Sequence, residues 1–214
     1  MIRGIYLDFD GTISDAKRIA YESLIQTLDE FGYKYDKKKA GKLLGWKNVR
    51  IFKDLKLPMR DLKSFRKVFY KKFTDAALKG GVKLCVSMKP LIELSKKYHL
   101  TVVSNSETSF VKACIKKLRI NGLFSQVYGS EKFRSKDILL KKLFKKRGLK
   151  HDEVLYIGDR FSDVQYARAA GCIAVSIYNS CSWSTLKEIK KEKPDYIIKD
   201  FYGLKKLIEK MNNT

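Results

Sequence analysis

The sequence is poor in proline, histidine and cysteine, and each scarcity excludes a class of protein or site. Three prolines and 13 glycines in 214 residues are too few for a collagen-like or proline-rich disordered chain. The four cysteines form no C-x-x-C pair, which argues against a structural zinc site, and we expect reduced thiols. His99 and His151 are the only histidines, and both lie beside lysine-rich segments. We therefore expect two surface or loop histidines and no catalytic one.

The chain also lacks a long apolar segment. No run approaches the roughly 20 apolar residues that a membrane-spanning helix needs. Residues 1–4 lead directly into a strand-like segment, without a basic and apolar leader. We therefore expect a cytoplasmic protein that makes no contact with a membrane. Its length suits one domain, or a core domain with a smaller insert.

Acidic residues are few relative to basic ones. The 23 Asp and Glu residues stand against 46 Lys and Arg residues, which gives a formal net charge of +23. Such a charge can bind nucleic acid, steer anionic substrates or simply solvate the surface. The lysines recur along segments such as 136–146 and do not collect in one tail, and no nucleic-acid-binding motif accompanies them. We therefore do not expect nucleic acid as a partner.

Strand-like and helix-like segments alternate along most of the chain. This alternation predicts an α/β protein with a parallel sheet and right-handed crossovers. Residues 15–81 differ, because their apolar spacing is helical throughout, which predicts a helical insert directly after the first strand. The predicted strands lie near residues 5–7, 100–103, 126–128, 154–157, 173–177 and 196–198.

Three of the predicted strands end in polar residues that suit a common site. The carboxyl ends of parallel strands meet at one edge of the sheet, where ligands bind. The first strand ends in two carboxylates one residue apart, which repel each other unless a proton or a cation is shared between them. A divalent cation and a phosphate would explain the whole set. Its members are Asp8, Asp10, Ser104, Asn105, Asp159, Asp163 and Lys136, the last at the start of a predicted helix.

These residues resemble the four motifs of the haloacid dehalogenase superfamily, on its phosphatase side. The D-x-D-G-T run at 8–12 is similar to the first motif, Ser104 to the second, Lys136 to the third and the G-D-x-x-x-D run at 158–163 to the fourth. Lys132 is an alternative for the third motif, but Lys136 begins the helix that leads to the fourth-motif strand.

The resemblance extends to one subgroup and implies a domain arrangement. Residues 157–171 are similar to the subgroup that contains phosphoglycolate phosphatase and β-phosphoglucomutase, whose members carry a helical cap after the first motif. This resemblance implies a Rossmann-like parallel-sheet core formed by residues 1–14 and 82–214. Residues 15–81 would then form a small helical cap.

The resemblance also implies a role for each motif residue. Asp8 would be the nucleophile that forms an aspartyl-phosphate, and Asp10 the general acid and later the base. Mg²⁺ would be held by Asp8, the backbone carbonyl of Asp10, and Asp159, with Asp163 in support. The phosphoryl oxygens would be bound by Ser104, the backbone amide of Asn105, and Lys136.

The expected activity is hydrolysis of a small phosphorylated metabolite by a monomer or homodimer. A sugar phosphomutase of the β-phosphoglucomutase kind is a close alternative, and a basic nucleic-acid-binding protein with a vestigial site is an alternative of another class. Arg160 would either touch the substrate or form a structural ion pair. Substrate selection is expected from the cap loop, through Trp46, Lys47 and Asn48, or this loop simply connects two helices. A cap-loop lysine facing the site would indicate a second anionic group on the substrate.

Overall fold

The computed structural model describes residues 1–213 as strands alternating with helices. The strands are β1 Gly4–Leu7, β2 Ser14–Asp15, β3 Lys83–Leu84, β4 His99–Val103, β5 Gln126–Tyr128, β6 Val154–Gly158, β7 Ile173–Ile177 and β8 Tyr196–Ile198. The α-helices are α1 Lys17–Glu30, α2 Lys37–Lys42, α3 Asn48–Asp54, α4 Leu62–Ala76, α5 Lys89–Ser95, α6 Thr108–Lys117, α7 Lys136–Arg147, α8 Phe161–Ala170, α9 Leu186–Lys191 and α10 Phe201–Asn213.

Six of the strands form one parallel sheet in the order β5-β4-β1-β6-β7-β8. β1 lies inside the sheet, and Leu7 at its end is in register with Val102 of β4 and Ile157 of β6. The carboxyl ends of β1, β4 and β6 therefore meet at one edge. The prediction of an α/β fold with a parallel sheet is confirmed.

Both faces of this sheet are covered, because side chains alternate along each strand. Ile5 and Leu7 of β1 pack into a core that α5, α6 and α10 share with the helical insert. Tyr6 points to the other face and packs with residues of α7 and α8, including an edge-to-face contact with Phe144. Burial on both faces explains why the strands read as continuous apolar runs.

The four helices α1–α4 lie between β2 and β3 in the chain. β2 and β3 pair antiparallel, with Ser14 opposite Leu84, so the two ends of the helical segment meet beside the sheet edge. Aromatic side chains fill the interior of the segment, and Phe73 of α4 stacks on Phe110 of α6 with ring centroids 3.9 Å apart. A π-helical turn, Ala77–Gly81, ends the segment. None of the helices within residues 1–213 is apolar over enough of its length to span a bilayer.

Candidate active site

Asp8 and Asp10 lie where β1 passes into a tight turn. The backbone amide of Asp8 still bonds to the carbonyl of Ile157 at 2.8 Å, whereas the amides of Ile13 and Ser14 turn back to the carbonyl of Phe9. Gly11 has a φ of +85°, and a side chain there would collide with Asp159. A glycine is therefore required for the turn to bring the first and fourth motifs into contact.

Lys136 connects the two acidic segments. Its side chain is only 1% exposed, and Nζ lies 3.0 Å from Asp8 Oδ1 and 2.9 Å from Asp163 Oδ1. The same Nζ donates to the hydroxyl of Tyr156 at 2.8 Å. Burial by itself would lower the pKa of Lys136, but the charges of Asp163 and Asp8 outweigh it and raise the pKa above its usual value. The lysine is therefore charged at neutral pH. Lys132 is exposed and does not take this position.

Three buried carboxylates form a cluster that suits a cation. Asp8, Asp159 and Asp163 each offer an oxygen atom, and these atoms lie within 4.8 Å of one another. Asp159 accepts hydrogen bonds from Thr12 Oγ1 at 3.2 Å and from the backbone amide of Trp183 at 2.6 Å. Burial, with the charges of Asp163 and Asp8, raises the pKa of Asp159 well above its usual value. One lysine cannot neutralise three carboxylates, and an all-oxygen donor set of this kind fits Mg²⁺.

The carboxylate of Asp10 lies outside this cluster. Its Oδ1 accepts a hydrogen bond from Ser14 Oγ at 2.9 Å, and its Oδ2 accepts one from Ser106 Oγ at 2.6 Å. Burial raises the pKa of Asp10, although the hydroxyls of Ser106 and Ser14 oppose the shift. The Asp10 side chain therefore lies apart from the three carboxylates that could bind a cation.

Ser104 and Asn105 follow β4 and border the same cavity as Asp8 and Asp10. Ser104 is buried, and its hydroxyl accepts a hydrogen bond from the amide of Ser106 at 3.0 Å. Asn105 Nδ2 donates to the carbonyl of Gly45 at 3.0 Å, which joins the end of β4 to the loop before α3. The structure thus brings the predicted phosphate-binding residues to the predicted nucleophile.

The cavity at this edge has a volume of about 40 Å³. Since a water needs about 10–15 Å³ of such space, the cavity holds about three waters. Its walls come from both parts of the molecule: the motif residues on one side, and residues of the helical segment 15–81 on the other. A closed site of this size can admit only a small ligand, and only after the walls separate.

The three cap-loop residues take different positions. Trp46 and Asn48 border the cavity, and the ring of Trp46 packs against Phe161 at 6.1 Å between centroids. Lys47 does not face the cavity. Its Nζ donates to the backbone carbonyls of Ser130, at 2.7 Å, and Phe133, and it lies 4.1 Å from the ring centroid of Phe133. The structure therefore does not support Lys47 as the group that binds a second anion.

Sequence reasoning missed three residues of the site. Ser106 bonds to Asp10, Tyr156 bonds to Lys136, and the backbone of Trp183 bonds to Asp159. A second hydroxyl after Ser104 was a signal for Ser106, because both lie at the same strand end. Tyr156 lies within the apolar run of β6, and no pattern in the sequence indicates that its hydroxyl contacts Lys136. Trp183 lies far from any motif, so only the fold places it here.

Comparisons with known proteins agree with this geometry. Haloacid dehalogenase-like hydrolases match the chain over residues 5–177. A protein of Caldanaerobacter subterraneus, provisionally named pyrophosphatase PpaX, is 25% identical over 97% of this chain and 95% of its own length. A phosphoglycolate phosphatase of Photorhabdus laumondii is 24% identical over 95% of this chain and 91% of its own. A haloacid dehalogenase-like hydrolase structure from Streptococcus pneumoniae covers 97% of this chain and 98% of its own, with a TM-score of 0.80 and 21% identity, and so shares the fold.

Proposed function

The chain belongs to the haloacid dehalogenase-like hydrolases, and on that premise we propose that it is a Mg²⁺-dependent phosphatase of small phosphorylated metabolites. One observation carries the proposal: the buried Lys136 lies between Asp8 and Asp163, beside a cavity that Asp8 and Asp10 also border. The similar proteins named phosphoglycolate phosphatase and pyrophosphatase support an anionic phosphate compound as the substrate.

In the proposed first step, a carboxylate oxygen of Asp8 attacks the phosphorus atom of the ester. The bond between phosphorus and the ester oxygen breaks, and an aspartyl-phosphate forms on Asp8. Asp10 gives its proton to the leaving oxygen, so an alcohol departs and not an alkoxide. Burial supports this role, because it raises the pKa of Asp10 and so favours the protonated form.

In the proposed second step, water attacks the phosphorus atom and gives a proton to the carboxylate of Asp10. The bond between phosphorus and Asp8 breaks, which releases inorganic phosphate and regenerates both carboxyl groups. Ser104, the backbone amide of Asn105, and Lys136 bind the phosphoryl oxygens in both steps. The charge of Lys136, 3.0 Å from Asp8, opposes the rise in the pKa of Asp8 that burial causes, and so favours the ionised, nucleophilic form.

Asp8, Asp159 and the backbone carbonyl of Asp10 would hold Mg²⁺, with Asp163 in support. The ion supplies positive charge against the phosphoryl oxygens when it is bound. The chain's own contribution is the orientation of these ligands. Thr12 and Trp183 fix Asp159 through the hydrogen bonds described above.

We further propose that residues 15–81 act as the cap, with the β2–β3 pair as its base. The small cavity between this segment and the sheet edge supports the idea, because a substrate needs more room than about three waters occupy. Opening would admit the substrate, and closure would exclude bulk water during the two steps.

The first test is the variant Asp8→Asn in a screen of phosphorylated metabolites, with Mg²⁺ and with chelator. Phosphate release should fall at least about 10⁴-fold, because the amide is not a nucleophile, while circular dichroism stays that of the folded protein. Asp75→Asn, which alters an exposed carboxylate on α4, is the matched control and should retain activity. Substantial turnover in Asp8→Asn would rule out the mechanism. A phosphorylated product without release of inorganic phosphate would indicate a mutase.

A further inference from the structure

Three side chains around the active-site cavity carry buried N–H donors that have no acceptor among residues 1–213. The nitrogen atoms are Nε and Nη1 of Arg160, Nε1 of Trp183 and Nδ2 of Asn48. A buried donor without a partner loses its hydrogen bonds to water and gains none in return, so such groups are rare in folded proteins. All four atoms are donors, and all belong to residues of one cavity. They indicate a missing acceptor, which is a group rich in oxygen atoms.

Arg160 adds a positive charge to this donor set. Arg160 is only 6% exposed, and within residues 1–213 no carboxylate forms an ion pair with its guanidinium. The nearby acids are bonded elsewhere: Asp159 accepts from Thr12 and Trp183, as described, and Glu188 accepts from Thr185. A guanidinium remains charged at all ordinary pH values, and this one interacts with the charges of Asp159 and Glu188 only at a distance, so its buried N–H groups still lack an acceptor. The missing acceptor is therefore an anion.

The cap loop is shaped to let this guanidinium reach the cavity. Gly45 has a φ of +77°, and a side chain there would collide with Nη1 of Arg160 and lie 2.9 Å from Cε3 of Trp183. The ring of Trp46 covers the guanidinium, with Cζ 5.1 Å from the ring centroid. Arg160 therefore lies between the end of β6 and the cap loop.

We propose that Arg160, together with Asn48 and Trp183, binds a second anionic group of the substrate, a carboxylate or a phosphate, when the cap closes. The inference rests on the proposed phosphatase function, because the reacting phosphoryl group is assigned to Asp8 and Lys136. The small cavity requires that the second anion lie within a few bonds of the ester phosphorus. Closure over a substrate that lacks this anion leaves the four donors unpaired. The same residues therefore disfavour phosphoesters that carry no second anionic group.

The experiment compares pairs of substrates that differ in the second anion. The first pair is 2-phosphoglycolate and ethyl phosphate, and the second is inorganic pyrophosphate and methyl phosphate. In at least one pair, the wild-type kcat/KM should be about tenfold or more higher for the member that carries the second anionic group. In Arg160→Gln this ratio should fall at least about tenfold, mainly through KM, and Arg160→Lys should give an intermediate ratio. The pair that responds identifies the second anion as carboxylate or phosphate.

The matched control is Arg18→Gln, which removes an arginine that is 78% exposed on α1 and should leave both ratios unchanged. Ratios that stay the same in Arg160→Gln and Arg160→Lys would overturn the inference and leave the phosphatase intact. If the wild-type protein hydrolyses none of the four compounds, the proposed function fails. Calorimetric titration of the wild type and Arg160→Gln with 2-phosphoglycolate and ethyl phosphate then decides the inference, because equal affinities in all four titrations would overturn it.

Discussion

At the scale of single residues, Ser106 determines how Asp10 can work. Its hydroxyl donates to Asp10 Oδ2 at 2.6 Å, and Ser14 donates to the other oxygen of the same carboxyl group. Donors that bind the ionised form lower the pKa of a carboxyl, whereas burial raises it. The two serines therefore oppose the rise in the pKa of Asp10, which favours the ionised form that the proposed base role requires.

Replacing this hydroxyl makes a testable change in the pH profile. In Ser106→Ala the pKa of Asp10 should rise, because one of the two opposing hydrogen bonds is gone. Asp10 must be protonated for the first step, so the alkaline limb of the plot of kcat/KM against pH should move to higher pH. In the second step Asp10 must be ionised to accept a proton from water. A higher pKa leaves less of this ionised form at neutral pH, so kcat should fall about tenfold.

Ser95→Ala is the control for this prediction, because Ser95 lies half-buried on α5, where its hydroxyl donates to the carbonyl of Ile92. Its pH profile should match that of the wild type. An alkaline limb that stays in place in Ser106→Ala would show that the hydroxyl does not tune Asp10.

Residue identities at the motif positions could be predicted, but directions of side chains often could not. Asp8, Asp159 and Lys136 meet as expected, because parallel strands fix where strand ends lie. The sequence left open whether Lys47 faces the substrate or belongs to a simple loop between helices, and its ammonium bonds to backbone carbonyls 83 and 86 residues further along the chain. Its environment depends on the docking of the helical segment, which no local pattern encodes. The same holds for Trp183 beside Asp159.

At the scale of elements, the strands that were predicted are those with an apolar run. β1, β4, β6 and β7 are buried on both faces and carry a continuous signal in the sequence. β2 and β3 were not predicted, since two residues are too few for any period to show. Their pairing exists because the ends of the helical segment must meet, which is a property of the fold.

Side chains of α3 and α4 hold the helical segment against the sheet edge. Lys47, which precedes α3, bonds to the carbonyl of Ser130. Arg66 of α4 pairs with Glu107 at 2.6 Å, and this residue precedes α6. Both contacts join the proposed cap to loops that follow strands of the sheet, so both stabilise the closed arrangement.

Loss of the Lys47 contact should weaken closure without changing selectivity. In Lys47→Met the two carbonyls lose a charged donor, and a hydrogen bond to a charged group contributes about 1.5–3 kcal/mol. Because the closed form is then less populated, kcat/KM should fall about tenfold or more for every phosphoester alike. Amide hydrogen exchange in α3 should become faster, since the segment opens more often.

Lys53→Met, which changes an exposed lysine at the other end of α3, is the matched control and should alter neither quantity. If kcat/KM in Lys47→Met fell only for substrates with a second anionic group, the assignment of Lys47 to cap closure would be contradicted. Such a selective loss would instead restore the interpretation that this lysine touches the substrate.

At the scale of the whole molecule, a strongly basic chain carries a site that is itself acidic. The net charge of +23 attracts anionic phosphoesters from solution. The buried Asp8, Asp159 and Asp163 would repel the same anions, so the proposed cation would have to bind before a substrate could approach. The charge of the whole chain and the proposed ion would therefore act at different distances: the first would raise the rate of encounter, and the second would permit binding.

The acidic cluster also links folding stability to pH. Burial raises the pKa of Asp8 from its ordinary value of 3.8 to about 7, and it raises the pKa of Asp159 as well. At a pH between 3.8, the ordinary pKa that Asp8 has in the unfolded chain, and about 7, its pKa in the folded chain, the folded chain holds a proton that the unfolded chain has lost. The stability of the metal-free protein should therefore fall as pH rises from about 4 to 7.

Mg²⁺ should reverse this loss, and more at pH 8 than at pH 5.5, because protons compete with the ion for the same oxygen atoms. At a hundredfold excess over its Kd, a bound ion stabilises the folded state by about 2.7 kcal/mol, which should raise the Tm by about 5–10 °C at pH 8. Thermal unfolding with Mg²⁺, with chelator and with NaCl of matched ionic strength measures the shift. Asp159→Asn should lose it, whereas Asp75→Asn, which changes an exposed carboxylate that is not part of the cluster, should keep it. A Tm that rises equally at both pH values, or equally in Asp159→Asn, would mean that the ion binds elsewhere and that these three buried carboxylates do not form its site.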